Sequence, residues 1–131
     1  MDLDLVSEHL EILHIRSLPE WDVLAFIYRH GASLASAEHI ARLLGYPRAE
    51  AGAALDSLTT AGIIQRSRNS HGVRLYQFAA ALPDDGRRRA VEELIRIAGT
   101  REGRLRLIGC LRRASANAGK AMRGRGGLHL A

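Results

Sequence analysis

A chain of 131 residues with 47% hydrophobic content is long enough to bury one core and too short for two ordinary domains. No apolar run approaches the roughly 20 residues that a membrane helix needs, and the opening MDLDLVSEHLE is acidic where a secretory signal would be basic, so a cytoplasmic location without membrane contact is expected. The net charge of +5 conceals an asymmetry: residues 1–46 hold three arginines against seven acidic residues, whereas residues 84–131 hold twelve basic residues against five acidic ones. Such basicity is the electrostatic footprint of a nucleic-acid binder, with a solvated arginine-rich helix face as the plain alternative.

The Val6 to Leu13 segment reads as a first amphipathic helix. Glu11 and His14 would share its face three residues apart, which suits a surface ion pair better than a metal or effector site. PEWDVLAFIYRHG, residues 19–31, predicts a scaffold helix. Pro19 stands in its first turn, Glu20 and Asp22 near its positive end, and Val23, Leu24, Phe26 and Ile27 along its apolar side, with Arg29 and His30 before Gly31.

From Ser36 to Ala79 the apolar spacing changes from helical to strand-like at one glycine. In SAEHIARLLG, Ile40, Leu43 and Leu44 recur at the spacing of one helical face, with Ser36 as N-cap and Gly45 as the left-handed stop. After Gly45-Tyr46-Pro47 a second helix presents Ala51, Ala54, Leu55 and Leu58 and stops at Gly62. The runs IIQRSR and VRLYQF, joined by the polar NSHG, then predict a hairpin with one face on a core.

This order resembles the winged helix-turn-helix of bacterial transcription regulators, in particular the MarR-like branch. The resemblance rests on Ile40-Ala41 through Leu44-Gly45 in the first helix, and on Leu55, Leu58, Gly62, Ile63, Ile64 and Arg66 in and after the second. It implies a mainly helical fold with a small β hairpin, acting as a homodimer on double-stranded DNA, and it is compatible with a small-molecule effector. Trp21, Phe26 and Tyr28 are then candidates to line an apolar effector pocket, or else belong to the core.

Under that reading the helix from Arg48 to Ala61 enters the major groove. Arg48 is its one strong base- or phosphate-reading side chain, with Ser57 and Thr60 as weaker hydrogen-bonding partners. Gly52, Ala53 and Asp56 stand where family members commonly carry Ser, Thr, Arg or Lys. The hairpin is better equipped, with Arg66, Arg68, Asn69, His71 and Arg74 on or beside its tip, where a loop can follow a phosphate backbone or reach the minor groove. The sparse recognition helix keeps a second reading open, a winged helix used to bind another protein without sequence-specific DNA recognition.

The C-terminal third, from Asp84, reads as two helices broken near residues 99–103, where Gly99 and Gly103 weaken a helix interior and Thr100 can cap a new one. Its apolar seam, Val91, Leu94, Leu105, Ile108 and Leu111, is expected to mediate dimerisation together with the Val6 to Leu13 segment, the alternative being packing within one chain. The expected organisation is a winged-helix domain with its N-terminal helix over 1–83, dimerisation helices over 84–116, and a disordered basic tail over 117–131.

Cys110, a single cysteine in the apolar phase of RLRLIGCLRR, is read as a small buried hydrophobe. The six histidines show neither HxxxH nor HExxH spacing. Nucleophile elbows, phosphate-cradling glycine loops and paired catalytic carboxylates are missing too. No catalytic residue, metal or cofactor is therefore assigned.

Overall fold

The computed structural model describes residues 2–30, 34–79 and 86–114. Within them the chain forms α1 (Asp2–Ile12), α2 (Leu18–His30), α3 (Ala37–Leu44), α4 (Arg48–Thr60), β1 (Ile64–Arg68), β2 (Arg74–Phe78) and α5 (Arg87–Ala98), followed by α6 over 101–114. This is the winged helix-turn-helix order, mainly helical with one antiparallel hairpin. The tail over 117–131 lies outside the described residues.

Local chemistry sets the element ends. Ser36 caps α3, its hydroxyl accepting from the His39 N–H at 3.2 Å, and Gly45 closes it at φ 78°, so that the Gly45 and Tyr46 N–H groups both reach the Ala41 carbonyl. The same closure ends α4, where Gly62 at φ 78° lets the Ile63 N–H return to the Leu58 carbonyl at 3.1 Å. In the hairpin, Ile64 pairs with Phe78 and Arg68 with Arg74. Ala35 bridges Tyr76 from the other side, through N–H to carbonyl bonds of 3.1 and 2.8 Å, and so covers that edge of β2.

The core confirms most of the expected helical phases. Ile40, Leu55, Leu58 and Ile63 are buried together, with Leu44 half-buried against them, which is the contact that holds a helix-turn-helix. Leu43, assigned to the same face, is instead 55% exposed. With only eight residues, α3 turns Ile40 and Ala41 inward, and Leu43 lies past the edge of that stripe. In β2 the inward residues are Tyr76 and, partly, Phe78, while Val73 is 45% exposed because it belongs to the tip rather than to the strand.

The C-terminal helices depart further from expectation. Val91, Leu94 and Leu111, assigned to a dimer seam, are buried inside this chain, packed in one continuous cluster with Val6 and Leu10 of α1 and with Leu13 just after it. Val91 and Leu94 have no exposed surface and Leu111 keeps only 3%, so for these three residues the packing within the chain is the observed one. The phase of α6 is also shifted: Gly103, Leu107, Cys110 and Leu111 turn inward, at i, i+4, i+7 and i+8, leaving Leu105 60% exposed and Ile108 half-buried. Cys110 is buried, as read from its apolar phase.

The corner between α5 and α6 explains this phase. Thr100 caps α6 by accepting from the Gly103 N–H at 3.0 Å, and the chain reverses so tightly that a Cβ on Gly103 would lie 1.8 Å from the Ile97 carbonyl oxygen. Gly103 therefore serves a close backbone approach inside a helix, not the helix break itself. Gly103→Ala is expected to lower stability in urea unfolding by at least about 1 to 3 kcal/mol through overpacking. Gly109→Ala, whose added Cβ meets nothing within 4 Å, should raise stability by roughly 0.5 to 1 kcal/mol through helix propensity.

Candidate nucleic-acid interface

α4 turns Ala51, Ala54, Leu55 and Leu58 into the core and leaves the opposite faces to solvent. Along one flank, Arg48, Gly52 and Asp56 face the wing across an open cleft of about 470 Å³ that also takes in Glu38, Gly72 and Arg74. The N-terminus of α3, the N-terminus of α4 and the wing thus converge on one surface. Arg48 and Arg74, 26 positions apart in the chain, line the same cleft.

The cations of this surface are in two different states. Arg48 lies 3.4 Å from Glu38 and Arg66 lies 3.9 Å from Asp56, each an exposed pair of small energetic worth that a phosphate can displace. Asp56, whose charge by itself would repel a phosphate, is therefore partly neutralised by Arg66. Arg68 and Arg74 have no ion-pair partner among the described residues, and they stand directly opposite each other in the β1–β2 register. Like charges facing each other across a ladder destabilise a hairpin by a few tenths of a kcal/mol, and an anion bound between them relieves that repulsion.

The tip residues divide similarly. The Asn69 side-chain oxygen accepts from the His71 and Val73 N–H groups at 2.9 and 3.0 Å, so Asn69 builds the turn and its carbonyl is not free to read a base. His71 is exposed at the apex, its ring 3.4 Å from the Ser70 hydroxyl. Ser57 and Thr60 are exposed but lie on the other flank of α4, in a cleft with His14 and Arg16. The sequence-assigned residues thus form two groups. Arg48, Arg66, Arg68 and Arg74 gather at the wing, and Ser57 and Thr60 lie beyond the helix crest.

Trp21, Phe26 and Tyr28 do not share a pocket. Trp21 is fully buried in the core, Phe26 stacks on His30 at 4.2 Å, and Tyr28 meets Phe78 edge-on at 5.3 Å. Residues two apart on a helix point to nearly opposite sides, which separates Phe26 from Tyr28.

Three contacts that sequence reasoning missed hold α4 in place. Asp22 of α2 accepts from the Tyr46 hydroxyl at 2.5 Å and from Arg104 of α6 at 3.4 Å, tying the turn before α4 to the C-terminal layer. At the far end of α4 the Arg87 guanidinium donates to the Ala61 carbonyl, filling an acceptor that the helix terminus leaves open. Separations of 24, 82 and 26 residues hide these contacts from any local pattern.

Burial pushes the Tyr46 phenol well above its ordinary range, and the hydrogen bond to Asp22 and that carboxylate's charge push it the same way. A group whose pKa is raised on folding contributes stability that is complete below its unfolded value, about 10 for tyrosine, and is lost as pH rises toward the folded one. Unfolding at stepwise higher pH should therefore show stability falling above about pH 10. Tyr46→Phe, which lacks the proton, should flatten that decline.

Among known protein families, the model of the MarR family matches residues 16–74. No curated protein and no solved structure matches the chain. The matched span begins at the turn before α2 and ends at the first residue of β2, so it contains the helix-turn-helix and the wing tip and leaves α1, α5 and α6 outside.

Proposed function

We propose, from a chain whose residues 16–74 belong to the MarR family, that this protein is a transcription regulator that binds duplex DNA as a homodimer through the flank of α4 and the wing. The observation that carries this reading is the Arg68–Arg74 pair. Two arginines in register opposite each other, with no ion-pair partner among the described residues, weaken a hairpin and make sense as a site for a phosphate backbone. Arg48 stands across the same cleft at the start of α4, where it can reach a base edge or a phosphate once Glu38 releases it. Arg66 and His71 extend the charge along the wing.

Gly52, Ala53 and Asp56 give the outward side of α4 few hydrogen-bonding groups for base edges, so affinity rests mainly on phosphate contacts and discrimination between sequences is modest. The family acts as regulators of transcription. Dimerisation uses what the terminal helices leave outward. Leu105 is a large aliphatic side chain 60% exposed on α6, with Ile108 half-buried beside it, and a second copy of the chain is the partner that covers them.

Binding to a random-sequence duplex across a salt series tests the DNA reading. Arg68→Ala and Arg74→Ala should each reduce the slope of log affinity on log salt by roughly one unit and weaken all duplexes alike. Arg48→Ala should instead reduce the spread between preferred and random sites, by about 1 to 3 kcal/mol if its guanidinium reads a guanine. A wild-type chain that binds no duplex at low salt, but captures a protein on the Arg48 to Thr60 face, would replace this reading with that of a protein-interaction module. Light scattering tests the assembly: twice the chain mass for the wild type, and a shift toward monomer for Leu105→Glu.

A further inference from the structure

α4 begins without a side chain to cap it. The residue at its N-cap is Pro47, at φ −59° and ψ 145°, which has no side-chain oxygen to accept from the first N–H groups of the helix. Arg48, the first residue of α4, is largely exposed, and its ion pair with Glu38 is a surface contact of small worth. The anchors on either side of it are Ala51, buried one turn along, and Tyr46, two residues back. Both donors of Tyr46 are engaged: its N–H reaches the Ala41 carbonyl at 3.0 Å, and its hydroxyl donates to Asp22 of α2.

Asp22 serves two elements with its two oxygens. Oδ2 accepts from the Tyr46 hydroxyl at 2.5 Å, and Oδ1 accepts from a guanidinium nitrogen of Arg104 on α6 at 3.4 Å. The Asp22 side chain is 16% exposed, so its charge depends on these donors to offset the water it has lost. A carboxylate held from two sides is a fixed point for the phenol. Because Pro47 locks one of the few dihedrals between Tyr46 and Arg48, a displacement of Tyr46 is passed on to Arg48 instead of being absorbed between them.

We infer that Asp22 is a positioning residue for base reading: through the Tyr46 hydroxyl it sets where the first turn of α4 presents Arg48, and Arg104 keeps its carboxylate in place. This rests on the DNA-binding reading above and deepens it, since it assigns part of the discrimination between sequences to residues that touch no DNA. A guanidinium reads guanine when two N–H groups meet O6 and N7 together, and a binding geometry of that kind is lost when its support is loose by about 1 Å. Phosphate contacts carry no sequence information and are spread over other residues, the wing arginines among them. Loosening Asp22 therefore acts on discrimination and spares the affinity for DNA of any sequence.

The test is the affinity of the full-length chain for two duplexes, the best sequence selected from a random pool and a random-sequence control. Tyr46→Phe, which removes the hydroxyl and keeps the ring, and Asp22→Ala should each narrow the ratio between them by about tenfold, in the lower part of what one bidentate contact supplies. The salt slope of random-duplex binding should stay at its wild-type value, because no phosphate contact is removed. In an Arg48→Ala background neither substitution should narrow the ratio further. The two together should do no more than either alone, since they remove the same bond. Asp22→Asn, which keeps an oxygen for the Tyr46 hydroxyl, should retain more of the ratio than Asp22→Ala.

A ratio unchanged by both Tyr46→Phe and Asp22→Ala overturns this inference and leaves the DNA reading intact. A loss that persists in the Arg48→Ala background overturns it too, because the bond would then support the fold at large and not Arg48. So does a selection that returns no preferred sequence, which leaves no base reading for Asp22 to position. Failure of the wild type to bind any duplex overturns both readings. Should Asp22→Ala not fold, Tyr46→Phe carries the test without DNA: the N–H residual dipolar couplings of Arg48 and Ala49, which report bond orientation, should change while those of Leu58 and Ile63 stay. Unchanged couplings at Arg48 and Ala49 overturn the inference.

Discussion

The structure depends on the burial of α2 on more than one face. Trp21, Val23, Leu24, Ala25 and Ile27 are all buried, and they spread around the helix instead of forming a single stripe. A helix apolar over so much of its circumference must be covered from several directions. The helix-turn-helix and β2 cover part of it, and the terminal helices extend the same cluster from Val6 to Leu111. The winged unit and the terminal helices therefore share one core.

That shared core fixes how α4 is presented. Leu55 and Leu58 anchor the helix, while Asp22 holds the turn before it and Arg87 holds the carbonyl after it. Tyr46 sees a carboxylate in partial burial, and its proton is retained for that reason. Arg104 and Arg87 both belong to the C-terminal layer, so a displacement of α5 or α6 would act on both ends of the recognition helix. A buried seam of Val91, Leu94 and Leu111 against α1 makes such a displacement costly, because leucine-sized side chains lose several kcal/mol when their packing is removed.

Charge is distributed with the same logic. Much of the excess positive charge lies in the C-terminal third of the sequence, yet the residues that gather around α4 come from four separate segments: Arg16, Arg48, the wing arginines and Arg87. Carboxylates intersperse with them. Glu38 and Asp56 each lie beside an arginine on the face proposed to meet DNA, and in exposed pairs of this kind the exchange for phosphate costs little. Such pairing moderates a positive surface that would otherwise bind any polyanion.

The helix-turn-helix and hairpin were legible in the sequence because their signals are local. Ser36 and Gly45 bracket α3, Ala51 to Leu58 keep a helical period, Gly62 ends α4, and the Asn69 to Gly72 turn separates two strand-like runs. Periodicity also located the break at Thr100. It could not say which face of the later helix turns inward, since Leu105 and Leu107 are equally apolar and only the steric demand at Gly103 selects between them. Nor could it say whether Val91 and Leu94 meet α1 of the same chain or a second copy, because an apolar stripe specifies burial without naming its partner. The ties of Asp22 to Tyr46 and Arg104, and of Arg87 to Ala61, are decisions of the tertiary structure. Each joins residues that only the folding of separate segments onto one core brings within reach.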